Sequence, residues 1–128
     1  KMTSLEGCPQ TAVVAQKHLK SAELSNVEVI VGDFKQTLPQ VISEKFDLIY
    51  FDGNHSKEAT LNYFEQLLPT VHNDSVWIFD DIYWSRDMTQ AWETILKDSR
   101  VIVSIDCFNL GFIFFRKEQP KQHFRIRL

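Results

Sequence analysis

The feature that most constrains this chain is the stretch 46–81, FDLIYFDGNHSKEATLNYFEQLLPTVHNDSVWIFDD. Residues 47–51 and 76–79 are short, nearly continuous apolar runs, and between them Ala59, Phe64, Leu67, Leu68 and Val71 recur at helical spacing. Short apolar runs bounded by turn residues suit strands of a parallel sheet covered on both faces. Ser56 is a good N-cap, Glu58 in the first turn suits the helix dipole, and Pro69 must end or distort the helix. Strand, helix and strand in this order make a right-handed crossover unit, which commits the chain to a layered α/β sheet. Each strand also delivers aspartate at its end: Asp52 after the first, Asp80 and Asp81 after the second. Open parallel sheets bind ligands beyond the carboxyl ends of their strands, so the chemistry is expected on that rim.

The remaining segments extend the same pattern. Residues 3–6 read as a short strand ending at Glu6. Pro9 then opens a helix over 9–23 with Ala12, Ala15, Leu19 and Ala22 on one face. The β-branched run 27–31 is strand-like and stops at Gly32-Asp33, and 37–43 is a short helix with Leu38, Val41 and Ile42 as its apolar face. Ser85 can cap a further helix whose face is Met88, Ala91, Trp92, Ile95 and Leu96. Two last strands, 101–105 and 112–115, flank Asn109-Leu110-Gly111 and should form an antiparallel hairpin. The expected fold is α/β and doubly wound, a mostly parallel sheet with a C-terminal antiparallel hairpin. Residues 1–117 form the domain and 118–128 a tail, in which 123–128 alternates as an edge strand would.

Composition narrows the function. Fourteen basic against seventeen acidic side chains argue against a dedicated nucleic-acid binder. Arg116, Lys117, Lys121, Arg125 and Arg127 read as a solvated tail. No apolar run approaches the ~18 residues of a membrane span, and the first residues lack the regions of a signal peptide. Cys8 and Cys107 have neither metal-site spacing nor a disulfide framework, so a reducing, cytoplasmic setting is expected. The chain starts on a strand with a residue other than Met, as a piece of a longer protein would.

Three groups of residues could carry chemistry. Glu6, Asp33 and Asp52 sit at successive strand ends, where carboxylates accept hydrogen bonds from nucleoside hydroxyls and amines or simply cap a turn. Asp52, Asp80 and Asp81 would repel one another in one cleft. A hard divalent cation such as Mg²⁺ would resolve that, and capping roles are the alternative. His55 follows Asp52 in a sharp Asp-Gly-Asn-His turn and is either a surface residue or a proton acceptor working near neutral pH. His18, His72 and His123 have no such setting.

The order of elements, with Glu6, Gly32-Asp33, Asp52-Gly53-Asn54-His55 and Asp80-Asp81, resembles a class I S-adenosylmethionine-dependent methyltransferase. It is most similar to the metal-dependent O-methyltransferases with Asp-Gly-x-His after one strand and Asp-Asp after the next. The resemblance implies a Rossmann-like fold and a small-molecule methyl acceptor. It implies that Glu6 binds the cofactor's ribose and Asp33 its adenine amine, with Phe34 beside the ring and Gly32 and Asp52 completing the cofactor set. It implies a divalent ion on Asp52, Asp80 and Asp81, and His55 as the base. The glycine-rich loop that such enzymes carry after their first strand has no counterpart among Gly7, Gly32, Gly53 and Gly111. The fold is therefore expected to lack its first strand, the chain by itself to be inactive, and the exposed strand edges to favour a homo-oligomer. Two other readings compete. One is a non-catalytic cofactor-fold module acting in binding or assembly. The other is a metal-dependent phosphoesterase, suggested by Gly32-Asp33 and Gly53-Asn54-His55 but missing that class's further histidines.

Overall fold

The computed structural model describes residues 1–127, which divide into two compact units, Lys1–Ser43 and Glu44 onward. In the first unit, β1 (Met2–Glu6) and β2 (Val27–Val31) pair in parallel, with Glu6 opposite Val31, and α1 (Pro9–Ser21) connects them. Pro9 occupies the first turn of α1, where its missing N–H costs nothing. The helix stops at Ser21, short of the expected 23, because Glu23 takes a left-handed conformation (φ +57°) that turns the chain out of the helix.

The expected helix over 37–43 is displaced. Asp33 caps α2 (Phe34–Thr37), accepting from the Lys35 N–H at 2.8 Å, and Pro39 lies in the single 3-10 turn, Leu38–Gln40, that follows. Leu38 and Val41 are buried as their spacing suggests, whereas Ile42 is exposed.

The second unit contains β3 (Leu48–Phe51), α3 (Lys57–Leu67), a 3-10 turn at Leu68–Thr70, β4 (Val76–Phe79), α4 (Arg86–Lys97), β5 (Val103–Asp106), β6 (Gly111–Phe114) and β7 (Gln122–Arg125). The sheet order is β3-β4-β6-β5-β7. β3 and β4 are parallel, β6 runs antiparallel to β4 and β5, and β7 is parallel to β5. The expected mostly parallel sheet is thus a parallel pair in one unit and a mixed five-stranded sheet in the other. The α/β character and the late hairpin are as expected.

Ser56 and Ser85 cap α3 and α4 through the N–H groups of Ala59 and Met88, each a contribution of ~1 kcal/mol. The core centres on fully buried Trp77, whose ring meets Phe51, Phe64 and Phe115, and on Phe79, Ile82, Trp92, Ile95 and Ile113. β3 departs from expectation: Leu48 and Tyr50, which share one face of the strand, are 56% and 49% exposed, while Ile49 and Phe51 on the other face are half-buried, so only one face of β3 is covered among the described residues. At the other edge, β7 spans Gln122–Arg125, and Leu128 of the expected 123–128 strand lies outside the described residues. No helix among the described residues is long and apolar enough to cross a membrane.

Candidate active site

In the first unit, Glu6 and Gly32-Asp33 gather at the carboxyl end of the parallel pair. The Gly32 N–H donates to the Glu6 carbonyl at 3.0 Å, which closes the two strand ends together. Glu6 Oε1 accepts from the Cys8 N–H at 2.7 Å, and Asp33 Oδ1 from the Lys35 N–H. Each carboxylate therefore orders its own turn with one oxygen and carries a second oxygen as a further acceptor. Gly32 sits at φ +151°, and a Cβ there would come 3.2 Å from Thr37 Cγ2, so a side chain would be both strained and crowded. Phe34 opens α2 beside this turn. Paired acceptors behind a glycine turn suit ribose hydroxyls and an exocyclic amine, which are donors, so the residues fit an adenosyl group.

In the second unit, the rim is built by β3 and β4. The Asp80 N–H donates to the Phe51 carbonyl at 2.9 Å, bringing the two strand ends level. Asn54 turns the chain through a left-handed conformation (φ +49°), which asparagine tolerates, and so returns His55 toward Asp52. The imidazole stands between two carboxylates: Nε2 lies 3.3 Å from Asp52 Oδ1 and Nδ1 3.5 Å from Asp81 Oδ2. Nε2 is shielded from solvent yet makes no well-directed hydrogen bond. Asp80 Oδ1 accepts from the Asp81 N–H at 2.9 Å, and the carboxylate is hydrogen-bonded to the Tyr50 hydroxyl. Desolvation, that hydrogen bond and the negative charges of Asp80, Asp52 and Asp81 push the Tyr50 phenol up to about 12.

The expected trio of metal ligands does not converge. Among the described residues no three His, Cys, Asp or Glu side chains form a group able to hold a metal ion. The oxygen donors suit a hard cation, but His55 stands between Asp52 and Asp81, and Asp80 is committed to Tyr50. As arranged, the set does not fit an ion. Neither Asp80 nor Asp81 caps α4, which is the role of Ser85.

The basic residues near the end are solvent-exposed, as expected, but four of them are tied to the fold. Arg116 pairs with Asp74 at 3.3 Å and Lys121 Nζ donates to the Asp98 carbonyl, while Arg125 and Arg127 reach Asp106, which is fully buried. Asp106, Tyr83 and Tyr50 are the ionisable residues near the site that sequence reasoning missed. An aspartate closing an apolar strand was the available signal.

Residues 1–82 match the sequence pattern of the methyltransferase domain family. The chain belongs to that family, the class I S-adenosylmethionine-dependent methyltransferases. Catechol O-methyltransferase of Mycobacterium tuberculosis is 30% identical over 83 residues, covering 64% of this chain and 37% of that protein. Among solved structures, cofactor-bound Rv0187 from MTB superposes with a TM-score of 0.74 at 22% identity, over 91% of this chain and 62% of the other. The SAH-bound Podospora anserina methyltransferase PaMTH1 gives 0.75 at 17% identity, over 90% and 60%. These likenesses bear out the Rossmann-like methyltransferase fold. The chain spans little more than a third of the curated relative and about three-fifths of the solved ones.

Proposed function

We propose that this domain serves an S-adenosylmethionine-dependent O-methyltransferase acting on a hydroxyl of a small molecule, with His55 as the proton acceptor. The observation that carries the assignment is the His55 imidazole, buried at Nε2 and flanked by Asp52 and Asp81. S-adenosylmethionine, when bound, supplies a methyl group already activated on a sulfonium, so the protein needs no covalent intermediate. Glu6 and Asp33 bind and orient the adenosine through their outward oxygens, with Gly32 keeping the turn open and Phe34 beside the ring. A neutral imidazole protonated on the shielded Nε2, toward Asp52, leaves Nδ1 to take the acceptor's proton. The new N–H then lies beside Asp81, so the imidazolium has a carboxylate on both sides as it forms.

The likeness to catechol O-methyltransferase supports oxygen over nitrogen as the acceptor. A metal-assisted version, which the family resemblance implies, is favoured only by the oxygens of Asp52 and Asp81 reaching the same side chain. It requires both, with Asp80, to draw together from the arrangement described. Loss of turnover on chelation with EDTA, restored by Mg²⁺, would establish it. A cytoplasmic setting, no nucleic-acid or membrane partner, and self-association through the free edges of β3 or β7 belong to the same proposal.

The test is His55→Ala. Turnover should fall by about 10²-fold or more, the scale of a lost general base, while affinity for S-adenosylmethionine stays at the wild-type value. Equal turnover in mutant and wild type would remove His55 from the mechanism.

A further inference from the structure

Asp106 closes β5 with its side chain completely buried. Three separate segments hold its carboxylate. The Tyr83 hydroxyl donates to Oδ2 at 2.5 Å and the Phe108 N–H to Oδ1 at 2.9 Å. Arg125 Nε lies 3.1 Å from Oδ2, and Arg127 donates through Nη1 to Oδ1 at 3.0 Å and through Nη2 to Oδ2 at 3.3 Å. A buried carboxylate this fully paired tolerates the loss of a partner poorly, since the remaining charge stays out of water.

What makes the cluster more than a staple is where Tyr83 sits. It lies in the four-residue link between Asp80 and Ser85 that carries Asp81. The link is tied a second time where the Ile82 N–H meets the Asn109 carbonyl at 3.3 Å, and internally where the Trp84 N–H meets the Asp81 carbonyl at 2.9 Å. The Tyr83 and Phe108 rings pack at 5.9 Å, and the Arg127 guanidinium lies over Phe108 at 5.6 Å. Within this frame Asp81 adopts a left-handed conformation (φ +53°). Aspartate tolerates that conformation, as asparagine does at position 54, so the surrounding ties need only select it among those open to the link. From it, Asp81 Oδ2 reaches His55 Nδ1.

We propose that Asp106 is a positioning residue for the active site. By holding Tyr83, it keeps the Asp81 backbone turned so that the Asp81 carboxylate stays on His55, and Arg125 and Arg127 of the C-terminal segment complete the hold. The C-terminal strand thereby becomes part of the site's support although it contributes nothing that touches His55. This rests on the reading of His55 as the base.

The experiment compares the imidazole ¹⁵N signals of His55, at one fixed pH, in wild type, Tyr83→Phe, Asp106→Asn and Asp81→Asn. Arg100→Gln serves as control, since Arg100 pairs with Glu65 and Asp98 and has no part in this cluster. Tyr83→Phe and Asp106→Asn should move the His55 signals in the direction Asp81→Asn moves them, and Arg100→Gln should leave them in place. In turnover assays kcat should fall by about 10- to 100-fold, the cost of a small misplacement, with S-adenosylmethionine affinity unchanged. Wild-type His55 signals in a folded Tyr83→Phe protein would overturn the proposal. Should Asp106→Asn fail to fold, Tyr83→Phe decides alone, because it removes a single hydroxyl. The spectroscopic comparison needs no catalysis, so an inactive wild type would count against methyl transfer and leave the positioning result to stand or fall separately.

Discussion

Replacing Gly111 with alanine should be among the most damaging single-methyl changes available to this protein. A Cβ at Gly111 would lie 2.6, 2.7 and 2.9 Å from Cη2, Cζ3 and Cζ2 of Trp92. Carbon atoms rest at roughly 3.5–4.0 Å, so about 1 Å of displacement is needed along three contacts at once. Neither side can give easily. The Trp92 indole is 2% exposed and packs near Phe79. Gly111 is held in the ladder opposite Phe79 on one side and Asp106 on the other. Overpacking a tight core costs about 1–3 kcal/mol, and with a rigid ring against a paired backbone we expect the upper end, about 3 kcal/mol. For a chain of this size that lowers Tm by roughly 10 °C. Urea unfolding followed by tryptophan fluorescence measures the loss. The double variant Gly111→Ala/Trp92→Phe should cost less than the sum of its single changes, since the smaller ring removes the clash. A Gly111→Ala protein within about 0.5 kcal/mol of wild type, or strictly additive behaviour, would refute the packing argument.

Two further predictions concern ionisation. Burial alone would raise the Asp106 carboxyl, but the hydrogen bonds from Arg127, Tyr83 and Phe108 outweigh it and bring the group down from 3.8 to about 2. The stabilisation it gives is therefore complete above the unfolded value and is lost as the pH falls from about 4 toward about 2. Asp106→Asn should flatten that part of the acid unfolding curve, and an unchanged curve would contradict the assignment. Tyr50 should ionise only as the pH reaches about 12, so Tyr50→Phe should remove a late component from the alkaline absorbance titration. A component vanishing near pH ~10, the ordinary tyrosine value, would show that Asp80 does not hold the phenol.

What the chain disclosed by pattern and what it concealed have different physical origins. Strand–helix alternation, the caps at Ser56 and Ser85 and the hairpin before Gly111 are local, and short runs of sequence suffice to encode them. The exposure of Leu48 and Tyr50 is not local, because an apolar run reads the same whether both faces of its strand are covered or only one. The displaced helix at 34–37 reflects Asp33 acting as a cap through Oδ1, a role that a propensity reading of 37–43 does not reveal. The grouping of Asp52, His55 and Asp81 was legible because β3 and β4 are parallel neighbours with level ends. That an imidazole would stand between the carboxylates, rather than leaving room for an ion, depended on Asn54 and Asp81 both turning left-handed. Asp106 was hidden most completely, since its partners Arg125 and Arg127 lie 19 and 21 residues away in a segment that looked solvated.

The central claim is that Glu6 and Asp33 hold an adenosyl donor for a reaction that His55 assists. Titrating S-adenosylmethionine calorimetrically into the protein and its Glu6→Gln, Asp33→Asn and His55→Ala variants tests it most directly. The account predicts saturable binding that weakens by about tenfold or more with either carboxylate change, as loss of a charged hydrogen bond requires, and that His55→Ala leaves intact. No binding by the wild type, or equal affinity in all four proteins, would contradict it.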